Sequence, residues 1–255
     1  MEYNPTRNLE HKESCTVLST SFITHFTKEF CILKKILNDG FKPGKPEFGE
    51  NILGKVEPYE LNNISHLNDE NLNNKIISQD SNIERFYMVC FCDIPFSKAK
   101  KHMIKYGGYG ISLTKSWALN NFINPVNYIF KDSPNHWTLF SLNNQLNVLK
   151  NEITKPGIEF KQFNIFNLEK TIEEINKMSK EYYDFDKKIK YYDEREWRRY
   201  YPNFEIEDIK KYYLKFEPKD IKYIIVKSKE EKQEINELMK RIWDIDFENK
   251  IRILN

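Results

Sequence analysis

Glycine is scarce in this chain. Only eight occur in 255 residues, and three of them, Gly107, Gly108 and Gly110, fall within four positions. A sequence so sparing places glycine where a side chain would clash or where φ must turn positive. Cysteine is scarcer still, at four. Cys15, Cys31, Cys90 and Cys92 have neither the density of a disulfide framework nor the paired CxxC spacing of a zinc site, so buried thiols and no metal are expected. There is no apolar run near the roughly 20 residues that span a bilayer. The first residues carry Glu2, Arg7, Glu10 and Lys12 instead of the apolar centre of a secretory signal. The expectation is a cytoplasmic protein with no membrane partner. Charge of one sign is lacking too: 40 basic against 38 acidic residues give +2. That balance excludes a broad basic footprint for nucleic acid and leaves only local patches, such as Lys98, Lys100, Lys101 and Lys105.

What the chain does have is 40% hydrophobic and 15% aromatic residues, enough for a core built on Phe and Tyr. Residues 19–26, 86–92, 111–113, 125–129, 189–201, 221–226 and 251–254 read as strands, rich in β-branched and aromatic types. Helical spacing marks 27–38, a segment opened by Ser97 and containing His102, 139–149, 168–183 and 229–243, with Gly40 placed as a C-terminal cap. A Thr-Lys-Ser-Trp-Ala segment at 114–118 reads as another helix opening, and 158–165 is ambiguous. Residues 1–18 form an irregular lead-in, and 41–85 a long loop or lid insertion within one domain of 1–255. Helices and strands mix without strict alternation, so the class is α+β, with mixed or antiparallel central sheets and flanking helices.

Three constellations could carry chemistry. The stretch Tyr106-Gly107-Gly108-Tyr109-Gly110-Ile111-Ser112 is either a tight turn into a strand or a close approach of backbone to a ligand. In Asp193-Glu194-Arg195-Glu196-Trp197-Arg198, an extended backbone sets Glu194, Glu196 and Arg198 on one side. Paired carboxylates can orient a nucleophile and stabilise a cationic, sugar-like transition state. The alternative is a solvated edge strand whose charges discourage aggregation. His25 ends an apolar strand, either as a ligand group or as a packed, hydrogen-bonded histidine.

Taken together these pieces carry a resemblance. Ile23-Thr24-His25-Phe26-Thr27, followed by Leu33, Ile36, Leu37 and Gly40, resembles the opening of ADP-ribosyltransferase-like folds. Gly108 to Ala118 resembles their glycine-strand-SKxxA segment, and Glu194-Arg195-Glu196 their ExE motif. More narrowly, Cys90-Phe-Cys-Asp-Ile-Pro95 with His102, Tyr106, Gly107 and Gly110, then Pro125-Val126 and Glu194-x-Glu-Trp-Arg198, is similar to the AbiGi family of abortive phage-resistance proteins.

The transferase resemblance implies an NAD-consuming enzyme. His25 and Thr27 would hold the adenine-side ribose, and Tyr109, Gly110, Ile111 and Ser112 the nicotinamide. Glu196 would stabilise the oxocarbenium-like transition state, and Glu194 would position a protein or nucleic-acid acceptor. On that reading Glu196→Gln abolishes NAD turnover and leaves the thermal midpoint nearly unchanged. Where that family's polymerase members carry tyrosine, this chain has Ser112. The AbiGi resemblance implies a different role: an inactive, antitoxin-like fold that binds a nucleotidyltransferase-type toxin or another defence-system partner.

Overall fold

A seven-stranded sheet organises the protein, with the histidine-bearing strand at its middle. The structure is a computed structural model that describes residues 19–44, 87–153, 162–183, 188, 190–201 and 206–254. In chain order the elements are β1 (Phe22–Thr27), α1 (Phe30–Asp39), β2 (Tyr87–Cys92), a 3-10 turn at Phe96–Lys98, α2 (Lys100–Tyr106), β3 (Tyr109–Thr114) and α3 (Lys115–Asn120). Then come β4 (Asn124–Pro125), β5 (Asn127–Ile129), α4 (Pro134–Ile153), α5 (Gln162–Lys177) and β6 (Ser179–Glu181). A 3-10 turn at Tyr191–Glu194 leads into β7 (Glu196–Tyr201), and another at Ile206–Tyr212 precedes β8 (Ile221–Val226), α6 (Lys229–Trp243) and β9 (Ile251–Ile253). The large sheet runs β4-β7-β2-β1-β3-β8-β9, while β5 and β6 pair separately in parallel. Every pairing in the large sheet is antiparallel except β8 with β9. The α+β expectation with a mainly antiparallel sheet therefore holds.

Both faces of this sheet are covered, which is why its central strands lack a clean apolar-polar alternation. On the first face Ile23, Phe91, Ile111, Leu113 and Ile224 pack with Leu33 and Leu37 of α1, Trp117 of α3, and Ile235 and Met239 of α6. On the second face Phe26, Cys92 and Ile225 meet Ala99, Met103 and Tyr106 at α2. A small layer of α4, α5, β5 and β6 carries its own apolar contacts, among them Ile129 with Leu139 and Phe140, and Leu146 with Ile172.

Helix boundaries follow local chemistry. Leu33, Ile36 and Leu37 recur at helical spacing and are all buried, and each contributes about 1.5–3 kcal/mol by leaving water. Gly40, at φ 86°, closes α1 by donating to the Ile36 carbonyl at 2.8 Å. The helix starts after Glu29 instead of at Thr27, because Thr27 is still paired with Tyr109 in the sheet. In α6, Ser228 accepts from the Glu231 N–H while the Glu231 carboxylate accepts from the Ser228 N–H, a reciprocal cap.

The glycine cluster makes the passage from α2 to β3. Gly107 sits at φ 116°, and a Cβ there would run into the Thr27–Lys28 backbone. Gly110 passes so close to β1 that a Cβ would lie 3.0 Å from the His25 carbonyl oxygen. The turn accounts for Gly107, and the close approach of β1 accounts for Gly110.

Several expected elements differ. The helix expected over 168–183 stops at Lys177, and Ser179–Glu181 becomes β6, paired with β5. The strand expected over 189–201 begins only at Glu196, because Arg195 adopts φ 44° and breaks the extended backbone. The expected strand 125–129 is divided between two sheets. Of the thiols expected to be buried, Cys92 is buried and Cys90 half-buried, whereas Cys31 on α1 is exposed. Phe41 and Gly44 bridge to Leu214 and Met88. The remainder of the 41–85 segment, the lead-in at 1–18 and residues 158–161 of the ambiguous stretch lie outside the described residues.

Candidate functional site

The kink at Arg195 determines the site. It leaves Glu194 at the end of a 3-10 turn and makes Glu196 the first residue of β7, yet both carboxylates converge on one ammonium. Lys180 Nζ, reaching in from β6, lies 2.7 Å from Glu194 Oε2 and 3.1 Å from Glu196 Oε2. Arg198, the next residue on that side of β7, donates from Nε to Glu196 Oε1 at 2.6 Å and from Nη2 to Oε2 at 3.1 Å. This two-pronged geometry is the strong form of a charged pair. Arg198 Nη1 also donates to the Lys177 carbonyl at 2.9 Å, which ties β7 to the end of α5. On the other flank, Lys105 Nζ and Tyr106 Oη reach Glu194 Oε1 at 2.5 and 2.9 Å. The Glu196 N–H donates to Tyr128 Oη at 2.7 Å.

Glu196 is only 8% exposed. Burial alone would raise its pKa, but the Arg198 and Lys180 cations outweigh that and hold it at about 2. The same balance applies to Glu194, where burial pushes up and Lys180 and Lys105 pull down further, leaving it below the ordinary carboxylate range. Lys180 and Arg198 are both shifted up: desolvation opposes their charge, and the facing carboxylates more than restore it. Burial drives the Cys90 thiol up, and the negative Glu196 beside it adds to the effect. His102, whose ring is tilted against Tyr106 at 4.4 Å, is lowered to about 4 by burial, against the pull of Glu194.

At neutral pH the cluster therefore consists of two ionised carboxylates, held by cations and a phenol, beside a neutral imidazole and a neutral thiol. A general acid or base works best with a pKa near ambient pH, and neither glutamate has one. A group that stabilises an oxocarbenium ion must be ionised, which Glu196 is, but both of its oxygens already face cations.

The other sequence-expected residues are distributed as follows. Ser112 Oγ shares a hydrogen bond with Thr24 Oγ1 at 2.8 Å, both fully buried. The pairings Ser112↔Thr24, Thr24↔Cys92 and Cys92↔Glu196 place Ser112 and Glu196 in one row on the second face, three strand spacings or about 14 Å apart. His25 points to the first face, where its ring meets Phe41 and Phe91 edge-on at 5.2 and 5.8 Å. Its Nδ1 donates to the Cys90 carbonyl at 2.8 Å. Thr27 is buried, and Tyr109 donates its hydroxyl to Glu231 Oε1 at 2.7 Å. Gly110 and Ile111 lie on an interior strand whose two edges are taken by β1 and β8. The structure brings Glu194 and Glu196 together and does not bring His25 to them.

Lys180 and Tyr128 were not legible as members of this cluster. Lys180 falls in what reads as a continuing helix, and a single Lys carries no motif. Arg198 had a signal, its strand spacing from Glu196, and the structure turns that spacing into a direct bond.

The fold and the cluster define an α+β protein with an ion-paired joint between a sheet and a smaller helical layer. The chain belongs to the AbiGi family: the family model described as "Putative abortive phage resistance protein AbiGi, antitoxin" matches residues 59–227. That span includes Glu194, Glu196, Arg198, Lys180 and Ser112, and leaves out His25 and Thr27. The chain is also similar to "Abortive phage resistance protein AbiGi" of Lactococcus lactis subsp. cremoris, 27% identical over 153 residues. The match covers 53% of this chain and 59% of the relative's length. No solved structure matches. Among the described residues, no helix is long and apolar enough to cross a membrane.

Proposed function

We propose that this protein serves abortive phage resistance as the antitoxin half of a pair, restraining a nucleotidyltransferase-type toxin by binding it, with no chemistry of its own. The observation that carries this reading is the state of Glu196. It is the residue best placed by sequence to act on NAD, and it is buried with both oxygens engaged by Arg198 and Lys180. The description of the AbiGi family as an antitoxin supports the same role.

The test is co-expression of the full chain with the protein encoded beside it, together with a thermal-shift titration with NAD. A stoichiometric complex on size-exclusion chromatography, growth restored by co-expression, and no rise in midpoint with millimolar NAD are expected. A ligand that binds only the folded state must raise the midpoint once it exceeds its dissociation constant. An NAD-dependent rise, with turnover lost in Glu196→Gln, would overturn the binding-only role in favour of the transferase reading.

A further inference from the structure

The outer face of α4 carries no charge. From Ser133 to Leu149 the chain has no Asp, Glu, Lys or Arg, although 31% of the whole sequence is charged. Solvated helix faces normally bear such groups, and α6 does, with Glu230, Glu234, Glu237, Lys240 and Arg241 exposed. The inner side of α4 is accounted for: Leu139 and Phe140 pack on Ile129, and Leu142, Leu146 and Leu149 meet Leu168 and Ile172 of α5. Trp137, Ser141, Gln145 and Val148 recur at helical spacing on the opposite side, and all four are exposed.

Trp137 is 37% exposed and Val148 43%, so two apolar side chains stand in water at the two ends of one face. The Trp137 ring meets Phe140 edge-on at 5.8 Å, which holds it in place as an anchor. Between the two ends lie a small hydroxyl and an amide. Gln145 Nε2 reaches Ser141 Oγ at 3.4 Å, long for a hydrogen bond, so the amide stays able to bond elsewhere. Charged residues are depleted and aromatic ones enriched at the centre of protein interfaces, and this face has that composition.

The pattern of the face also selects its occupant. Trp137 and Val148 stand on either side of residues 142–143, each about 8 Å along the helix from the midpoint. An antiparallel copy related by a two-fold axis through that midpoint sets Trp137 of each chain against Val148 of the other, with Ser141 near Gln145. Hydroxyl and amide groups both donate and accept, so they can bond their own kind. A face with charge of one sign would repel its own copy, and this one has none. A partner of different sequence is selected largely through charge complementarity, which this face does not offer.

We propose that α4 is the contact surface of a homodimer, in which two copies pack antiparallel through Trp137, Ser141, Gln145 and Val148. The contact is isologous, the same patch on both chains. The span from Trp137 to Val148 is about 17 Å, so the pair buries less than the standard ~800 Å² per partner and dissociates in the micromolar range. This assignment stands apart from the antitoxin reading and uses none of the residues of the charge cluster.

Sedimentation velocity of the full chain, run from about 2 to about 200 µM, should show the mean mass rising from one chain toward two, as mass action requires. Ser141→Lys and Ser141→Glu each place like charges across the axis. Either variant alone should stay monomeric to about 200 µM, an affinity loss of at least about tenfold. The thermal midpoint of the dilute variants should hold, because the position is exposed and both replacements are good helix formers. Mixed in equal amounts at about 50 mM salt, where screening is weak, the two variants should associate again. A wild-type protein that is monomeric throughout, a Ser141→Lys variant that dimerises as the wild type does, or a mixture that fails to associate would each overturn the proposal. A monomeric wild type whose complex with the neighbouring protein is lost in Ser141→Lys would overturn it too, and give the face to that partner.

Discussion

Arg198 and Glu196 stand two residues apart on one strand and grip each other through two bonds, at 2.6 and 3.1 Å, while Lys180 closes the carboxylate from a different layer. Side chains two apart on a strand share a face, so β7 by itself places the arginine beside the glutamate. The third partner arrives only because β5 and β6 dock there.

Removing the negative charge should therefore weaken the fold. Glu196→Gln leaves the buried Arg198 without its carboxylate and Lys180 with Glu194 alone, and breaking a buried pair from one side costs about 3–5 kcal/mol. Urea unfolding should show a lower midpoint with little change in slope. An unchanged midpoint would mean that water satisfies Arg198, and that the residue is held for chemistry, as the transferase resemblance implies.

Acid should destabilise the protein in two stages. His102 has its pKa depressed from 6.5 to about 4, so between those values the unfolded chain binds more protons and stability falls as pH drops. Glu196 has its pKa depressed from 4.5 to about 2, so its contribution is present above pH 4.5 and is lost as pH falls toward 2. Thermal midpoints measured from pH 7.5 to 3 should hold to about pH 6.5 and fall below it. His102→Phe should reduce the slope between 6.5 and 4, leaving the share of His25, whose pKa burial also lowers, and should leave the lower stage intact. A profile flat down to pH 4.5 in the wild-type protein would contradict the buried neutral imidazole.

The Thr24–Ser112 pair offers a double-mutant cycle. Ser112→Ala leaves a buried threonine hydroxyl without its partner and should cost about 1–3 kcal/mol. Adding Thr24→Val removes the orphan and should restore much of that loss. Chemical denaturation of the four proteins reads the coupling directly, and strictly additive losses would show that the two hydroxyls do not depend on each other.

Gly107→Ala should be among the most damaging single changes outside the core. Its φ of 116° and the backbone of Thr27–Lys28 in the path of a Cβ both oppose it. A loss of about 3 kcal/mol or more is expected, against about 1 kcal/mol for relieving ordinary glycine flexibility in the opposite direction. Gly44→Ala is the control, because nothing lies within 4 Å of its added carbon.

The sequence announced the elements that local pattern controls. The strand Ile221–Val226 and the helix Lys229–Trp243 stand where β-branched runs and helical spacing put them, and the Ser228 cap fixes the helix start. It was silent where three-dimensional pairing decides. Lys180 leaves helical structure because β6 finds β5, and nothing in Ser-Lys-Glu signals that partner. Arg195 takes a left-handed conformation with no glycine or asparagine to mark it. Within the candidate site, the two glutamates and the arginine were visible as strand neighbours. The orientation of His25 was not, since alternation gives two faces without saying which one a distant glutamate will share.

The seam between the large sheet and the α4–α5 layer is joined at this point by salt links, unlike the oily packing that binds α1 and α6 to the opposite side. Pulling such a join apart exposes ions, which water welcomes, instead of hydrocarbon, which it rejects. Parting the helical layer from the sheet would therefore bare charge and leave the aromatic interior dry, and because these links are buried, added salt should do little to ease it.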